Sequence, residues 1–359
     1  MWVRNDMAGI REIILSIREG KNMLLKTDKC YIVAEIGGNF TDLETAKLLI
    51  DQAAECGVDA VKLQTYRAET LVSGSAVFDM ENIKGISQVE YFKKYEIDEE
   101  MHRQIYRYAK EKGLDIFSTP THYTDVMMLE KLGTDIYKIG ADDAVNIPFL
   151  KKVAALNKPI MLSTGMCTLD EVKMAVNAVL EVGNPQLIIM HTVSLYPTRD
   201  EYVNLNVLNT FFREFPEFVI GYSDHTLGVD ACIYAAAMGA KVIEKHFTFD
   251  KNADGPDHIL SADKEDMMRL VAAVRQFETM RGNGIKMPMS DEVKNRRNNR
   301  KSIIAIRDIK KGEIFSEDNI DIKRPGMGMA PRFYEEVIGK RAAKDMEKDT
   351  LLQWTDIEA

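Results

Sequence analysis

Eight short β-branched apolar runs, each followed by an amphipathic stretch, fill the chain from Cys30 to Lys286. The runs are Cys30–Ile36, Asp59–Leu63, Leu114–Ser118, Asp135–Ile139, Pro159–Ser163, Leu187–His191, Phe218–Tyr222 and Lys241–Glu244. A βα unit of about 30 residues used eight times predicts an α/β protein, a (β/α)8 TIM barrel, whose active-site mouth lies at the C-terminal strand ends. At or just past those ends stand Glu35, Lys62 with Gln64, Thr119, Lys138, Ser163, His191, the Ser223-Asp224-His225 triplet and Lys245-His246. Packing explains the apolar runs but not a polar set gathered at one end of every strand. The pattern reads as an enzyme.

The 359 residues hold one barrel and a small extra domain. We divide them into an N-terminal segment (1–29) able to plug the barrel bottom, the barrel (30–280), a linker (281–300) and a small C-terminal domain (301–359) with turn signals at Lys311-Gly312, Pro325-Gly326 and Ile338-Gly339. Thr41-x-x-Glu44 reads as a capping box ahead of a stripe of Leu43, Ala46, Leu49, Ile50 and Ala53, closed by Gly57. Thr168-x-x-Glu171 repeats the device ahead of Val172, Ala175, Val176 and Val179. The insertion between Ala68 and Tyr95 is placed where barrel lids lie.

A net charge of −9 argues against a nucleic-acid partner, and the basic run Lys294–Lys301 reads as a solvated linker. No apolar run reaches the length of a membrane span, and the apolar stretch Ile10–Ile17 is too interrupted for a signal peptide. Four scattered cysteines without CxxC spacing suit reduced residues in a cytoplasmic protein. No GxGxxG or GxxxxGK[ST] loop is present, which disfavours dinucleotide and nucleoside triphosphate chemistry.

Glu35 is the partner of a neighbouring lysine, or else a general base or a carboxylate that orients a substrate hydroxyl. Lys62 and Lys138, joined by Lys245, could form a local cation cluster. Two lysines converging on one mouth repel each other unless an anion lies between them, which favours a phosphate or carboxylate ligand. His225 and His246 follow the seventh and eighth strands, neighbours in a closed barrel. With Asp224, Glu244 or Asp257 nearby they suit a divalent cation with open positions. His102, His122, His191 and His258 are weaker candidates.

These residues lie in segments that resemble the sialic acid synthase family, the phosphoenolpyruvate-dependent nonulosonate synthases. The matching stretches are Ala34-Glu35-Ile36-Gly37 with Asn39, Val61-Lys62-Leu63-Gln64-Thr65, Ser118-Thr119-Pro120, Tyr137-Lys138-Ile139-Gly140 and Leu162-Ser163-Thr164-Gly165-Met166. They continue with Tyr196-Pro197-Thr198, Gly221-Tyr222-Ser223-Asp224-His225-Thr226, Ile243-Glu244-Lys245-His246-Phe247-Thr248 and Gly255-Pro256-Asp257-His258. Ser302-Ile303-Ile304-Ala305, Lys310-Lys311-Gly312-Glu313 and Lys323-Arg324-Pro325-Gly326 resemble the antifreeze-like (SAF) domain of the same family. The resemblance covers roughly residues 30–359.

The resemblance implies condensation of phosphoenolpyruvate with a 2-acetamido sugar aldehyde of mannose type, giving a nonulosonic acid, sialic or legionaminic, plus phosphate. It implies that Lys62, Thr119, Lys138, Ser163 and Ser223 hold phosphoenolpyruvate and that Glu35 is the acid/base or orienting carboxylate. His225 and His246 would bind Mn2+ or Mg2+, and Gln64, Tyr196 and Asp257 would contact the sugar or order the site. It further implies a domain-swapped homodimer in which the SAF domain of one subunit brings Arg324 to the other's barrel. Three features depart from the family pattern: Phe40 stands where a histidine is common, Ala141-Asp142-Asp143 replaces Ser-Gly-Glu, and residues 299–301 lack an aromatic found in some members. The sugar is left open among N-acetylmannosamine, its 6-phosphate and a diacetamido-trideoxy sugar. The competing readings are a 3-deoxy-ulosonate synthase acting on a phosphorylated sugar and a non-catalytic carbohydrate-binding protein.

Overall fold

The structure, a computed structural model, describes residues 29–78, 85–255 and 257–358. Apart from Lys29, the segment expected to plug the barrel lies outside them. The chain divides into two compact units, Met1–Arg281 and Gly282–Ala359.

In the first unit all eight apolar runs are parallel strands, closed into a barrel in chain order. They are β1 (Tyr31–Glu35), β2 (Ala60–Thr65), β3 (Asp115–Pro120), β4 (Tyr137–Ile139), β5 (Ile160–Ser163), β6 (Leu187–His191), β7 (Val219–Asp224) and β8 (Val242–His246). Side chains alternate across each strand. Val33, Phe117, Met161, Met190 and Val242 fill the barrel interior, while Ile32, Leu63, Ile139, Leu162 and Ile243 belong to the core that includes the surrounding helices. This alternation decides which polar groups reach the mouth.

The first helix, Leu43–Cys56, buries Ala46, Leu49, Ile50 and Ala53 as its stripe predicts, and ends at Gly57 in the left-handed region (φ 76°). Its cap is Asp42, which accepts from the Thr45 amide at 2.9 Å, and not Thr41. A carboxylate one residue further along simply takes the capping position. The second expected box is present: Thr168 caps helix Leu169–Glu181 through the Glu171 amide, and Glu171 accepts in return from the Thr168 amide. After β2 the insertion carries helices Ala68–Leu71 and Gln88–Tyr95.

In the second unit β9 (Ser302–Ala305) pairs antiparallel with β10 (Ile320–Lys323). Ile303, Phe315, Ile320, Val337 and Leu352 form its core. The stretch read as a linker contains a helix, Glu292–Asn299, with no buried residue. No helix among the described residues is long and apolar enough to cross a membrane.

Candidate active site

Register gathers the chemistry. Glu35 lies opposite Lys62 on one side and His246 on the other, Gln64 opposite Thr119, and Ser223 opposite Glu244. Each points into the barrel because it shares parity with an interior residue of its own strand. The turn after β1 must pass close by: a Cβ on Gly37 would collide with the Glu35 carboxylate and lie 2.7 Å from the Gln64 amide nitrogen.

Four charges form the floor of the mouth. Lys62 pairs with Glu35 and lies 3.6 Å from Glu244 Oε1, while Lys138 Nζ meets Glu244 Oε2 at 2.6 Å. Lys62 also donates to Thr119 Oγ1 (3.0 Å), and Ser223 Oγ donates to Glu244 Oε1 (3.1 Å). All four charged groups are buried. The anion between the two lysines is therefore a side chain of the protein, Glu244, and not only a future ligand. The sequence pattern sets Glu244 beside a possible metal and does not reveal this role, although its position two residues before His246 marks it as inward-facing.

Burial would raise the Glu244 carboxyl, but Lys138, Lys62 and the Ser223 hydroxyl outweigh it and hold Glu244 at about 2. Glu35 moves the other way. Burial and the Glu244 carboxylate raise it against the pull of Lys62, so it is the carboxyl of the pair that more readily keeps a proton. Burial lowers Lys138, whereas Glu244 and Glu35 raise Lys62 despite burial. One carboxylate is a fixed anchor and the other is poised to exchange a proton.

Alternation removes three expected residues from this cluster. Lys245 lies between inward-facing Glu244 and His246 and faces the helices, fully buried, with its ammonium 2.7 Å from Asp224 Oδ2. Asp224 is further held by Tyr222 (2.7 Å) and by the amide and hydroxyl of Thr226 (3.1 and 2.9 Å). Neither belongs to the anion cradle or the metal site. His191 also faces outward, bonding the Val203 carbonyl at 2.7 Å. Removing one partner of a buried pair leaves an uncompensated charge, so Lys245→Met should cost about 3–5 kcal/mol of stability. Denaturant unfolding would measure that loss, with ligand affinity at the mouth unchanged because Lys245 does not line it.

Three other histidines are also structural. His102 bonds Thr65 and the Asp98 carbonyl, His122 caps helix Tyr123–Lys131, and His258 bonds Thr248. Asn39 is buried and donates to the Phe247 carbonyl and Ser261 Oγ, both at 2.9 Å.

Above the charged floor, the His225 and His246 rings lie 5.4 Å apart. Tyr196 stacks on His225 at 4.1 Å and meets His246 edge-on at 6.2 Å. His225 Nδ1 donates to the Val193 carbonyl at 2.7 Å, which leaves Nε2 with a free lone pair. His246 Nδ1 is buried without a hydrogen-bond partner, 3.6 Å from Asp257 Oδ2. Burial lowers His225 to about 4, and burial with the neighbouring His225 and Lys62 also holds His246 well below the usual imidazole range. Both are neutral imidazoles, the form that binds a metal. Burial and the Glu35 carboxylate raise Asp257 to about 7.

Among the described residues no three His, Cys, Asp or Glu side chains form a complete ligand set. Even so, two neutral imidazoles, one with an orphaned ring nitrogen beside a carboxyl, fit a divalent cation that keeps open positions. Ser163 and Ser223 are buried, while Gln64, Thr119 and Asp257 are half-buried. Ala141, where the family pattern has a serine, supplies no side-chain donor. Arg324 is exposed in the second unit, after β10.

Residues 49–286 match the NeuB family and residues 300–358 match the SAF domain. The N,N'-diacetyllegionaminic acid synthase of Campylobacter jejuni is 40% identical over 332 residues, 90% of this chain and 99% of that protein. A pseudaminic acid synthase of the same species is 37% identical over 91% of this chain and 96% of its own. The solved N-acetylneuraminic acid (sialic acid) synthetase of Leptospira borgpetersenii serovar Hardjo-bovis is 30% identical, with a TM-score of 0.67 over 74% of this chain and 90% of that one. These relatives are spanned almost end to end, and the chain belongs to the NeuB family.

Proposed function

We propose that this chain joins phosphoenolpyruvate to the open-chain aldehyde of a 2-acetamido sugar, giving a nonulosonic acid and inorganic phosphate. The observation that carries this reading is the buried two-lysine, two-carboxylate floor beneath a pair of neutral imidazoles. A tri-anionic substrate requires cations, and an aldehyde requires an electrophilic partner. The names of the relatives, which are synthases of legionaminic, pseudaminic and neuraminic acids, support the same chemistry.

Lys62 and Lys138 meet the carboxylate and phosphate of phosphoenolpyruvate, with Thr119, Ser163 and Ser223 as neutral donors. The incoming anion competes with Glu35 and Glu244 for the lysines. Glu244, strongly acidic, stays ionised and keeps the lysine ammoniums in place. Glu35, held nearer to protonation, is the group able to pass a proton to the aldehyde oxygen as the new bond forms between the enol carbon and the aldehyde carbon. Water adds to the resulting cationic carbon and loses a proton. The C–O bond to phosphate then breaks as the new hydroxyl gives its proton to the departing phosphate, leaving a ketone and inorganic phosphate. Gln64, Tyr196 and Asp257 orient the sugar. His225 and His246, with Asp257 beside them, would hold a divalent cation such as Mn2+ or Mg2+, a Lewis acid for the carbonyl.

The test is phosphate release from phosphoenolpyruvate with free and phosphorylated sugars assayed side by side. The panel comprises N-acetylmannosamine, its 6-phosphate, a 2,4-diacetamido-2,4,6-trideoxymannose and the pentose and tetrose phosphates of ulosonate synthesis. Turnover confined to the phosphorylated pentose or tetrose would overturn the reading, and no phosphate release at all would leave a carbohydrate-binding protein.

We further infer a homodimer in which the second unit of one subunit supplies Arg324 to the sugar site of its partner. Four free cysteines suit a reducing compartment, and we assign the reaction to the cytoplasm. One charged hydrogen bond is worth enough that Arg324→Ala should raise the sugar KM about tenfold while leaving that of phosphoenolpyruvate unchanged. Sedimentation should give a dimer. A fully active monomer would overturn the arrangement.

A further inference from the structure

Tyr66 stands just beyond the end of β2, at the rim of the mouth. On that strand Ala60 belongs to the barrel interior and Lys62 to the charged floor, while Thr65 faces outward to His102 and Ser118 (2.8 and 2.6 Å). The backbone is still extended at Arg67 (φ −113°, ψ 129°). Alternation therefore turns Tyr66 to the side of Lys62 and Gln64, one layer nearer the opening.

The insertion holds it there. The Tyr66 ring is 7% exposed and meets Phe92 edge-on, with centroids 5.4 Å apart and planes at 76°. Phe92 packs in turn on Phe78 and Tyr91, both at 5.9 Å. Glu96, just past helix Gln88–Tyr95, clamps the segment to the strand end through Arg67 (2.8 Å) and the Ala68 amide (2.9 Å). The Tyr66 hydroxyl has no hydrogen-bond partner among the described residues. Burial, followed by the Asp257 carboxyl, keeps the phenol neutral, and Asp257 responds in turn to Glu35 and Lys62, which ties Tyr66 to the same cavity.

We propose that Tyr66 determines sugar specificity: its hydroxyl hydrogen-bonds the acetamido sugar, and its ring, backed by Phe92, covers an apolar edge of that sugar. A 6-deoxy sugar, with a methyl group in place of a hydroxymethyl, suits such a wall better than N-acetylmannosamine does. The proposal rests on the reading of the chain as a nonulosonic acid synthase.

Tyr66→Phe keeps the ring and its contact with Phe92, and the lost hydroxyl has no partner among the described residues, so the variant should fold as the wild type does. It should raise the sugar KM about fivefold, the effect of one neutral hydrogen bond, with the phosphoenolpyruvate KM within twofold of wild type. Tyr66→Ala should lower the ratio of kcat/KM for the trideoxy sugar over N-acetylmannosamine about tenfold, the range of one methyl-sized discrimination. A sugar KM within twofold of wild type in Tyr66→Phe, or an unchanged sugar ratio in Tyr66→Ala, overturns the assignment. So does a parallel rise in both substrates' KM with a lowered Tm, which would mark Tyr66 as packing for the insertion alone. A wild-type enzyme inert with every sugar is a different result, because it removes the synthase reading itself.

Discussion

Lys138→Met should lower turnover about 10²–10³-fold, the usual cost of losing one preorganised electrostatic contact in a dry site. It should also cost stability. The ammonium of Lys138 lies 2.6 Å from Glu244 in a buried cluster of two lysines and two carboxylates. Removing it leaves an excess negative charge where water cannot reach, a change worth about 3–5 kcal/mol. These two losses can be separated. Lys138→Met combined with Glu244→Gln restores neutrality, and Ser223 can still donate to the amide oxygen. Thermal stability should return toward wild type in the double variant, whereas turnover stays low because the substrate anion still lacks a cation. A double variant with wild-type kcat and phosphoenolpyruvate KM would make the pair a scaffold and move the cradle elsewhere.

The barrel was legible because strands buried on both faces read as near-continuous apolar runs. All eight runs are strands, with ends displaced by a residue or two. Side-chain direction was equally legible wherever alternation was applied, as for Lys62 and Gln64. Along β7 and β8 the same alternation sets Asp224 and Lys245 on the opposite face from the functional neighbours beside them in sequence. Glu244 was misjudged for a related reason. The argument that two lysines need an anion between them is sound, but a carboxylate of the protein satisfies it before any substrate arrives. That pairing joins residues 138 and 244, and sequence spacing carries no trace of it. Of the Glu35 alternatives the structure displays the lysine partner, Lys62, and the proton-carrying role belongs to the proposed function. The helix Glu292–Asn299 escaped notice because it buries nothing and so leaves no apolar period to read.

Chelation should abolish most turnover, about 10²–10³-fold, with recovery on adding Mn2+ or Mg2+. The argument begins with an orphan. His246 Nδ1 is buried without a partner, and an unsatisfied buried polar atom costs about 1–3 kcal/mol unless something occupies the space beside it. His225 leaves Nε2 free because its other nitrogen serves the Val193 carbonyl, and the two rings are 5.4 Å apart. Both are neutral at working pH, so no proton need leave either ring on binding. Asp257 is different. With its carboxyl raised to about 7 by burial and by Glu35, a fraction is protonated at neutral pH, and a cation must displace that proton. Cation affinity should therefore rise with pH up to and through 7 and level off above it. Asp257→Asn should flatten that dependence, as titration calorimetry with Mn2+ would report without any turnover. His246→Ala should lose both the bound metal and the recovery after chelation. Full turnover in excess EDTA by a protein shown to retain no metal would remove the cation from the site and leave the imidazoles to polarise the aldehyde by themselves.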